Sequence, residues 1–436
     1  MQRSNLIEQA LESTWHRQTA EASLERWQQL CEKENWGEKP ERIDRLISVF
    51  GCSWYFTRFL FYRGLKSADL IDKGVVPSFE PSELIEFLSQ SLEAGDVENR
   101  FEWLRSLKNQ CMVQLLLEKI ARSDTLESNE AALTHLAISS LQVAMKIAGL
   151  ELDDEDCQLA VLGMGRIAGM EMNYGSDLDL IFLYKDSSSG FRNDYSDKIR
   201  QLIRQMSLQT PTGILYEIDM RLRPHGTSGS LVTSFDSFLD YHAGNREVWE
   251  RQMMTRCLPI IDNHGLGRTV MKKIEDNVYA QMDNSRLAGE IMATRLRVQD
   301  ELGSRKGKID IKRGKGGIMD IDFLCHYLQL RYGSTNPQLR VHSTRQALVR
   351  LQEYDILNEA EKSMLLSCYE FFKNIEACLR LFDLKSLSAF SVQLHDDSAL
   401  VRAMGYGESG GAVRFKEDCA IRCDQVRDCF EEKLES

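Results

Sequence analysis

The chain has 436 residues, of which 43% are hydrophobic and 28% are charged, and its formal net charge is −12. This length exceeds what one hydrophobic core organises, so we expect two or three domains, and the composition excludes a largely disordered protein. The negative charge disfavours non-specific attraction to a nucleic-acid backbone, so a phosphate-bearing ligand must meet local cations. We therefore expect a small nucleotide rather than a nucleic-acid partner.

The N-terminus and the cysteines give no sign of export or of membrane insertion. The first residues lack the apolar core of a signal peptide, and the strongest apolar cluster carries Arg58 and Arg63. The eleven cysteines show no paired metal-ligand spacing, and Cys419 with Cys423 lacks the further ligands that a tetrahedral site needs. We expect a cytoplasmic protein with reduced thiols and no membrane span.

Helical periodicity dominates the first third of the chain. Apolar residues recur every three to four positions in segments such as "LIEQALESTWHRQ", and Pro77 and Pro81 interrupt the pattern. The last helix of this region should end at Gly149, where the acidic segment "ELDDEDC" follows. The sequence predicts an N-terminal helical domain over residues 1–153.

The middle of the chain has the pattern of a compact α/β unit, predicted over residues 154–265. We expect strands at Leu159–Gly163, Leu178–Tyr184 and Ile214–Leu222, and a helix in "DYSDKIRQLIRQMSLQ" between the last two. The helical pattern then returns over residues 266–436, with a basic, glycine-rich and irregular insert at 303–322. The predicted fold class is α+β and mostly helical.

The segment "GSDLDLIFLY" sets two aspartates side by side at the start of a buried strand. Residues i and i+2 of a strand point to the same face, so Asp177 and Asp179 project together. Asp219 would join them if the third predicted strand is a neighbour. Mg²⁺ would offset the repulsion, and three carboxylates suit a two-metal site. Taken alone, the Asp-x-Asp pair could be a turn cap and the segment around Asp219 a solvated strand end. The occurrence of both motifs in this order along the chain favours the metal site.

Glycines and arginines near these carboxylates indicate a phosphate ligand. "LGMGRIAG" puts Gly163 and Gly165 at a strand end before a predicted helix, where backbone N–H groups can approach a triphosphate. Arg221 and Arg223 would supply positive charge. In their order, the Gly-x-Gly turn, the Asp-x-Asp pair and the acidic strand resemble the nucleotidyltransferase superfamily that includes DNA polymerase beta. This resemblance implies a polymerase-beta-like nucleotidyltransferase core flanked by helical domains.

Four longer segments resemble the glutamine synthetase adenylyltransferase family: "LGMGRIAGMEMNYGSDLDLIFLY", "GILYEIDMRLRPHGTSGSLVTSFDSFLDYH", "VWERQMMTRCLPI" and "IDIKRGKGGIMDIDFLCHYLQLRYG". The resemblance implies Mg²⁺-dependent transfer of AMP from ATP to a tyrosine of glutamine synthetase, with release of pyrophosphate. It implies that the catalytic and metal-binding residues are Asp177, Asp179 and Asp219. It further implies a nucleotide pocket formed by Gly163, Gly165, Ser176, Arg221, Arg223 and Lys312.

The family resemblance leaves the direction of the reaction open. Members usually carry two such halves, one attaching AMP and the other removing it by phosphorolysis, and this chain has one copy. The removing half tends to carry Arg-Glu where Met319 and Asp320 stand, so the attaching half is the closer match. The alternatives are phosphorolytic removal giving ADP and a non-catalytic nucleotide-sensing module. Glutamine synthetase is the implied protein partner, and a nitrogen-signalling regulatory protein is a further candidate.

Some residues of these motifs differ from the family pattern, and others in or near the motifs can be interpreted in two ways. Asp322 stands where the family commonly has glutamate, and Arg166 takes the usual basic position of the glycine turn. Glu250 would brace the site from behind or form a helix salt bridge, and His225 would touch a phosphate or, as we expect, occupy a turn. Of the six cations crowded into residues 305–315, only Lys312 is covered by the family motif, and the others are expected to be solvated.

Overall fold

A computed structural model describes residues 2–35, 40–93, 99–121, 125–150, 152, 157–186, 192–244, 246–303 and 307–435. Most of these residues are helical and surround a small mixed sheet, which confirms the predicted α+β, mostly helical class. Within these ranges, no helix is both long enough and apolar enough to cross a bilayer.

Helices make up the first third of the chain, as the apolar periodicity predicted. Side chains at several N-termini accept hydrogen bonds from the backbone N–H three residues later, which satisfies groups that the helix itself leaves free. Ser53, Asn99 and Thr125 do so. The helices are α1 (Gln2–Ser13), α2 (Arg17–Lys33), α3 (Pro40–Cys52), α4 (Trp54–Arg63), α5 (Ser67–Lys73), α6 (Pro81–Glu93), α7 (Arg100–Ile120) and α8 (Leu126–Ile147).

A mixed sheet occupies the middle of the chain. Its strands are β1 (Cys157–Met164), β2 (Leu178–Asp186), β3 (Ile218–Asp219), β4 (Val232–Ser234) and β5 (Cys257–Ile261), and helix α9 (Arg192–Met206) lies between β2 and β3 in sequence. Strand β1 is antiparallel to both β2 and β5, whereas β3 and β4 pair in parallel with the start and the later part of β2. The sequence predicted β1, β2 and α9 but not β4 or β5.

The third strand is much shorter than the predicted Ile214–Leu222. Only Ile218 and Asp219 pair with β2, because the chain turns immediately afterwards. The Arg223 guanidinium donates to the Met220 carbonyl at 2.6 Å and to the Gly229 carbonyl at 3.2 Å, and His225 has a left-handed φ of 63°. These contacts close a loop where the alternating pattern predicted extended backbone.

The segment after β1 is a series of turns, whereas the sequence predicted a helix there. Gly165 and Met170 adopt positive φ angles of 62° and 57°, which interrupt a right-handed helix. The N–H of Gly169 donates to the Gly165 carbonyl at 3.1 Å, and that of Glu171 donates to the Arg166 carbonyl at 2.9 Å. The turns therefore satisfy their own backbone groups.

Helices return after β4, and the insert is more regular than predicted. Strand β6 (Lys308–Asp310) pairs antiparallel with β7 (Ala389–Ser391), and α14 already begins at Ile318, inside the predicted insert. Arg305 and Lys306 lie outside the described residues. The helices are α10 (Phe235–Ala243), α11 (Val248–Met254), α12 (Leu266–Val278), α13 (Asn284–Val298), α14 (Ile318–Tyr332), α15 (Thr344–Glu353), α16 (Glu359–Leu381), α17 (Ala399–Ala403) and α18 (Gly411–Glu435).

The two faces of the sheet belong to two hydrophobic cores. Leu178, Leu180 and Phe182 pack with the N-terminal helices, whereas Ile181 and Leu183 pack with the C-terminal helices. This alternation follows from the period of two along a strand. The sheet is thus covered on both faces, and the domain bounds at residues 153 and 265 stay a prediction.

Charged side chains that are almost entirely buried join the three regions of the chain. Glu171, in the turns after β1, pairs with Arg256 and Arg166, and Asp322 of α14 pairs with Arg166 at 3.0 Å and with Arg256 at 3.3 Å. Burial opposes ionisation of Glu171, but Arg256 and Arg166 hold its pKa well below the usual range.

The same cluster continues through α16 to the N-terminal helices. Lys373 lies 2.7 Å from Glu130 of α8 and donates to the Glu171 carbonyl at 3.1 Å, and Arg345 lies 2.7 Å from Glu130. Glu376 pairs with Arg380 at 2.7 Å. We call this set the buried ionic network: Glu130, Arg166, Glu171, Arg256, Asp322, Arg345, Lys373, Glu376 and Arg380.

Replacing Lys373 by methionine should destabilise the protein strongly. The variant leaves Glu130, whose side chain is fully buried, with one cation fewer, and breaking a buried pair from one side typically costs about 3–5 kcal/mol. Urea denaturation followed by circular dichroism measures the free energy of unfolding. The matched control is Lys73→Met, because the Lys73–Asp69 pair is exposed, and we expect a change within about 0.5 kcal/mol. Equal effects of the two variants would contradict the role of the network.

Candidate metal and nucleotide site

The acidic residues meet where β3 joins the edge of β2. Asp179 and Asp219 are directly paired in the parallel register of the two strands, and Asp177 lies two residues before Asp179. Asp179 shares its strand face with Ile181 and Leu183, which is the side of the C-terminal helices. Adjacent strands therefore bring together the residues that the sequence singled out from segments forty residues apart.

The carboxylates influence one another electrostatically. Burial, followed by the like charges of Asp177 and Asp219, raises the pKa of Asp179 to about 7. Asp219 behaves differently because Arg221 donates to both of its oxygens, at 3.0 Å and 2.9 Å, and this hydrogen bonding lowers the pKa of Asp219. At this edge the charged form of Asp179 is thus disfavoured, whereas the charge of Asp219 is already compensated by Arg221.

The donor chemistry of this edge fits Mg²⁺, which prefers carboxylate oxygens and keeps several waters. Burial, and after it the like charges of Asp177 and Asp219, raise the pKa of Asp179, and a bound cation would favour its charged form. Among the described residues, however, no group of three or more His, Cys, Asp or Glu side chains is arranged so that it could hold a metal ion. Cys419 and Cys423 therefore do not belong to such a group either. The assignment of metal ligands to Asp177, Asp179 and Asp219 therefore stays a prediction. In this structure the Asp219 carboxylate is hydrogen-bonded to Arg221.

Lys312 approaches the same edge from the C-terminal side. It follows β6 in a turn in which Asp310 Oδ1 accepts from the N–H groups of Lys312 and Arg313, both at 3.0 Å. The positive charge of Lys312 lowers the pKa of the Asp179 carboxyl, and burial lowers the pKa of Lys312 itself to about 8. Within the described part of the chain, its ammonium makes no hydrogen bond or ion pair. Lys312 is thus available to a phosphate group.

The two glycines of the turn have different surroundings. A Cβ on Gly165 would lie 3.3 Å from Asp179 Oδ2, and its φ of +62° is one that side chains rarely adopt. A Cβ on Gly163 would instead lie 2.8 Å from Ile260 Cγ2 and 2.9 Å from Ile167 Cγ2. Gly165 therefore keeps the space beside the carboxylate open, whereas Gly163 permits close packing of the sheet.

Ser176 and Arg223 are engaged by the protein itself. Ser176 Oγ accepts from Arg380 and from the Asn173 N–H, each at 3.0 Å, so it ties the Asp-x-Asp turn to the buried ionic network. Arg223 bonds the carbonyls of its own loop, at Met220, Thr227 and Gly229. These contacts favour positioning roles, and direct nucleotide contacts by Ser176 and Arg223 stay predictions.

Other motif residues serve the scaffold. Arg166 donates to Asp322 at 3.0 Å and to the Tyr369 hydroxyl at 2.6 Å. Glu250 accepts from the Glu247 N–H at 3.1 Å and from the Tyr241 hydroxyl, which makes it part of a helix cap. The expectation that His225 occupies a turn is confirmed.

Sequence reasoning missed Arg380, which reaches Ser176 from α16. Its segment, "EKSMLLSCYEFFKNIEACLRLF", was assigned only a helical apolar pattern. The glutamate one turn earlier, Glu376, is the i,i+4 partner that could have indicated a fixed side chain.

Sheet, carboxylate edge and flanking helices together define a nucleotidyltransferase core, and comparison with known proteins gives the family. The model of the glutamate-ammonia ligase adenylyltransferase family matches residues 43–273, just over half of the chain. The chain belongs to this family. The model of the GlnD PII-uridylyltransferase family matches residues 290–434.

Similar curated proteins are named bifunctional glutamine synthetase adenylyltransferase/adenylyl-removing enzymes. That of Chromobacterium violaceum is 30% identical over 357 residues, which is 80% of this chain and 40% of the relative. That of Neisseria meningitidis serogroup B is 29% identical over 358 residues, covering 79% and 39%. That of Nitrosomonas europaea is 31% identical over 290 residues, covering 65% and 31%. The chain thus spans at most about two fifths of the length of these relatives.

Replacing Asp179 by asparagine should stabilise the metal-free protein at pH 8. A carboxyl whose pKa is raised from 3.8 to about 7 on folding contributes stability that is complete below pH 4 and is lost as the pH rises through 7. The neutral amide avoids this loss, and we expect a gain of about 1–3 kcal/mol at pH 8 and little change at pH 4. Thermal denaturation with a chelator measures the difference.

The matched control is Asp276→Asn, because the Asp276 side chain is 95% exposed. It should leave the free energy of unfolding unchanged at both pH values. A wild-type protein that is no less stable than Asp179→Asn at pH 8, in the presence of chelator, would show that the like charges at this edge do not repel as the geometry indicates.

Proposed function

We propose that this chain transfers AMP from ATP to a tyrosine hydroxyl of glutamine synthetase in a Mg²⁺-dependent reaction that releases pyrophosphate. The observation that carries the proposal is the pairing of Asp179 with Asp219 on neighbouring parallel strands, with Asp177 two residues away. Membership of the family and the names of the similar proteins support the same chemistry.

In the proposed reaction the tyrosine oxygen attacks the α-phosphorus of ATP. The new phosphorus–oxygen bond forms as the bond between the α-phosphorus and the bridging oxygen breaks, and that oxygen leaves with pyrophosphate. The hydroxyl proton passes to solvent or to a neighbouring base. Such a step needs stabilisation of negative charge on the phosphates and deprotonation of the acceptor hydroxyl.

The chain's own residues meet these needs in part. Lys312 offers an ammonium that the described residues leave without a partner, close to Asp179, and Arg221 has a guanidinium that is 76% exposed. Both can neutralise phosphate oxygens. Gly165 lets the backbone lie next to Asp179 without a side chain in between.

The three aspartates would hold the metal. Mg²⁺, when bound to them, would lower the pKa of the acceptor hydroxyl and neutralise charge on the leaving pyrophosphate, as in two-metal sites. The raised pKa of Asp179 and the oxygen-only donor set support this assignment.

The direction of the reaction rests on the family motif rather than on the geometry. Met319 and Asp320 are the positions that distinguish the two halves in sequence, and Asp320 is fully buried against Arg295, Arg427 and the Gly316 N–H. The direction is therefore to be tested with both substrates. A nitrogen-signalling regulatory partner and a cytoplasmic location are further expectations from the family resemblance.

Incubation with α-labelled ATP, Mg²⁺ and unmodified glutamine synthetase should label the synthetase and release pyrophosphate. We expect Asp179→Asn to reduce the labelling rate by at least about a hundredfold, which corresponds to a loss of about 2.7 kcal/mol of transition-state stabilisation. Labelling is measured by scintillation counting after gel separation. Asp276→Asn, with its exposed carboxylate, should retain the wild-type rate.

The reverse substrates distinguish the alternatives. Release of ADP from adenylylated glutamine synthetase and phosphate, without forward labelling, would replace the proposal by phosphorolytic removal. No reaction in either direction, together with unchanged cellular behaviour of the Asp177→Asn, Asp179→Asn double variant, would favour a nucleotide-sensing module.

A further inference from the structure

A cavity of about 470 Å³ lies between the N-terminal helices and the segment that leads into β3. Trp54, Tyr55, Arg58 and Phe59 of α4 line one side, and Lys108 of α7 lies on the same side. The rest of the lining consists of Gly175, Asp177, Gln209 and residues 211–217 and 383–386. The cavity therefore borders the carboxylate edge, but Asp179, Asp219 and Lys312 do not line it.

Lys108 is the unusual residue of this cavity. Its side chain is 97% buried, since only 3% of the residue is exposed, and its Nζ lies 5.1 Å from the centre of the Tyr216 ring. No carboxylate or carbonyl among the described residues accepts a hydrogen bond from it. Burial, together with Arg105, lowers the pKa of Lys108 to about 7. A bound anion would favour the charged form of this amine, so an Nζ without an acceptor in a cavity wall is a suitable place for an anionic group.

The walls around Lys108 are fixed rather than loose. Asn109 Nδ2 and the Tyr55 hydroxyl donate to the Thr212 carbonyl, at 2.5 Å and 3.1 Å, and Thr212 Oγ1 donates to Glu102 at 2.5 Å. A Cβ on Gly213 would lie 2.0 Å from the Tyr55 oxygen, so this close approach requires glycine. Helices α4 and α7 thus hold the cavity wall through buried hydrogen bonds.

The charges of the cavity differ in their exposure. Asp177 and Glu217 are exposed, and Asp383 has Lys385 at 3.1 Å, so water and a neighbouring cation reduce their fields. Lys108 is buried, and its interaction with a bound charge is weakened less. Arg58 adds a second positive charge to the lining, while Phe59, Leu215 and Tyr216 supply apolar surface.

We propose that this cavity binds a small organic anion, with its carboxylate or phosphate on Lys108 and its apolar part against Phe59 and Tyr216. This second site goes beyond the proposed transfer reaction and does not depend on it. An occupant would touch Glu217, two residues before Asp219, and so would lie against the segment that forms β3.

Isothermal titration calorimetry tests the site with three probes in the presence of a chelator. Benzoate and phenyl phosphate carry the two anionic groups, and benzamide has the shape of benzoate without its charge. We expect at least one anion to bind more tightly than benzamide, and Lys108→Met to weaken that anion at least about tenfold while leaving benzamide unchanged. Whichever of the two anions binds more tightly identifies the preferred headgroup.

Lys312→Met is the matched control, because it removes a lysine from the carboxylate edge and not from the cavity. It should leave the affinity for the anion unchanged. The proposal is overturned if neither anion binds, if benzamide binds as tightly as both anions, or if Lys312→Met weakens binding as much as Lys108→Met does.

Tryptophan fluorescence supplies a measurement that does not need the Lys108 variant to fold. Trp54 lines the cavity and is 40% exposed, so a bound anion should change its emission. The ligand-dependent change should be lost in Trp54→Phe and kept in Trp249→Phe, whose ring is outside the cavity lining. A change that persists in Trp54→Phe would assign the anion to another place and overturn the proposal.

Discussion

The buried ionic network is the constraint on which the rest of the structure depends. Burying a charge is unfavourable unless hydrogen bonds and opposite charges surround it, and here Glu171, Asp322 and Glu130 each meet at least two cations. These residues come from the turns after β1, from α14 and from α8. Glu130 finds both of its cations, Arg345 and Lys373, in the C-terminal helices, and Asp322 finds its two cations, Arg166 and Arg256, beside the sheet. The network therefore ties the sheet, the N-terminal helices and the C-terminal helices to one another. Through Arg380 and Ser176 it also fixes the turn that presents Asp177 and Asp179.

The sequence predicted the features that depend on local periodicity and on adjacent residues. Apolar residues repeat with a period of two in strands β1 and β2 and of 3.6 in helix α9, and this periodicity predicted the three elements. The same alternation predicted that Leu178 and Leu180 point into a core. The projection of Asp177 and Asp179 to one face of the strand was predicted for the same reason. The pairing of Asp179 with Asp219 was foreseen only on the assumption that two strands are neighbours, which the parallel register satisfies.

What the sequence did not predict depends on contacts between distant segments. The family motif covers Asp320 and Asp322, but nothing local in the sequence shows that both aspartates turn inward to arginines more than twenty residues away in sequence. Arg166, at the usual basic position of the glycine turn, donates to Asp322. Lys108 was not singled out, because the residue type alone does not show whether a lysine in a helix is exposed or buried. Short strands such as β4 and β6 exist only because a partner strand is present.

The contact between Arg221 and Asp219 has a consequence for how the binding of a metal ion and the binding of a polyanion depend on each other. A metal ion held by Asp219 would compete with the Arg221 guanidinium for the carboxylate oxygens. An Arg221 side chain released from Asp219 would be able to pair with a polyanion. Ion and polyanion would consequently favour each other's arrival, and neither would be held as firmly alone as the pair is held together.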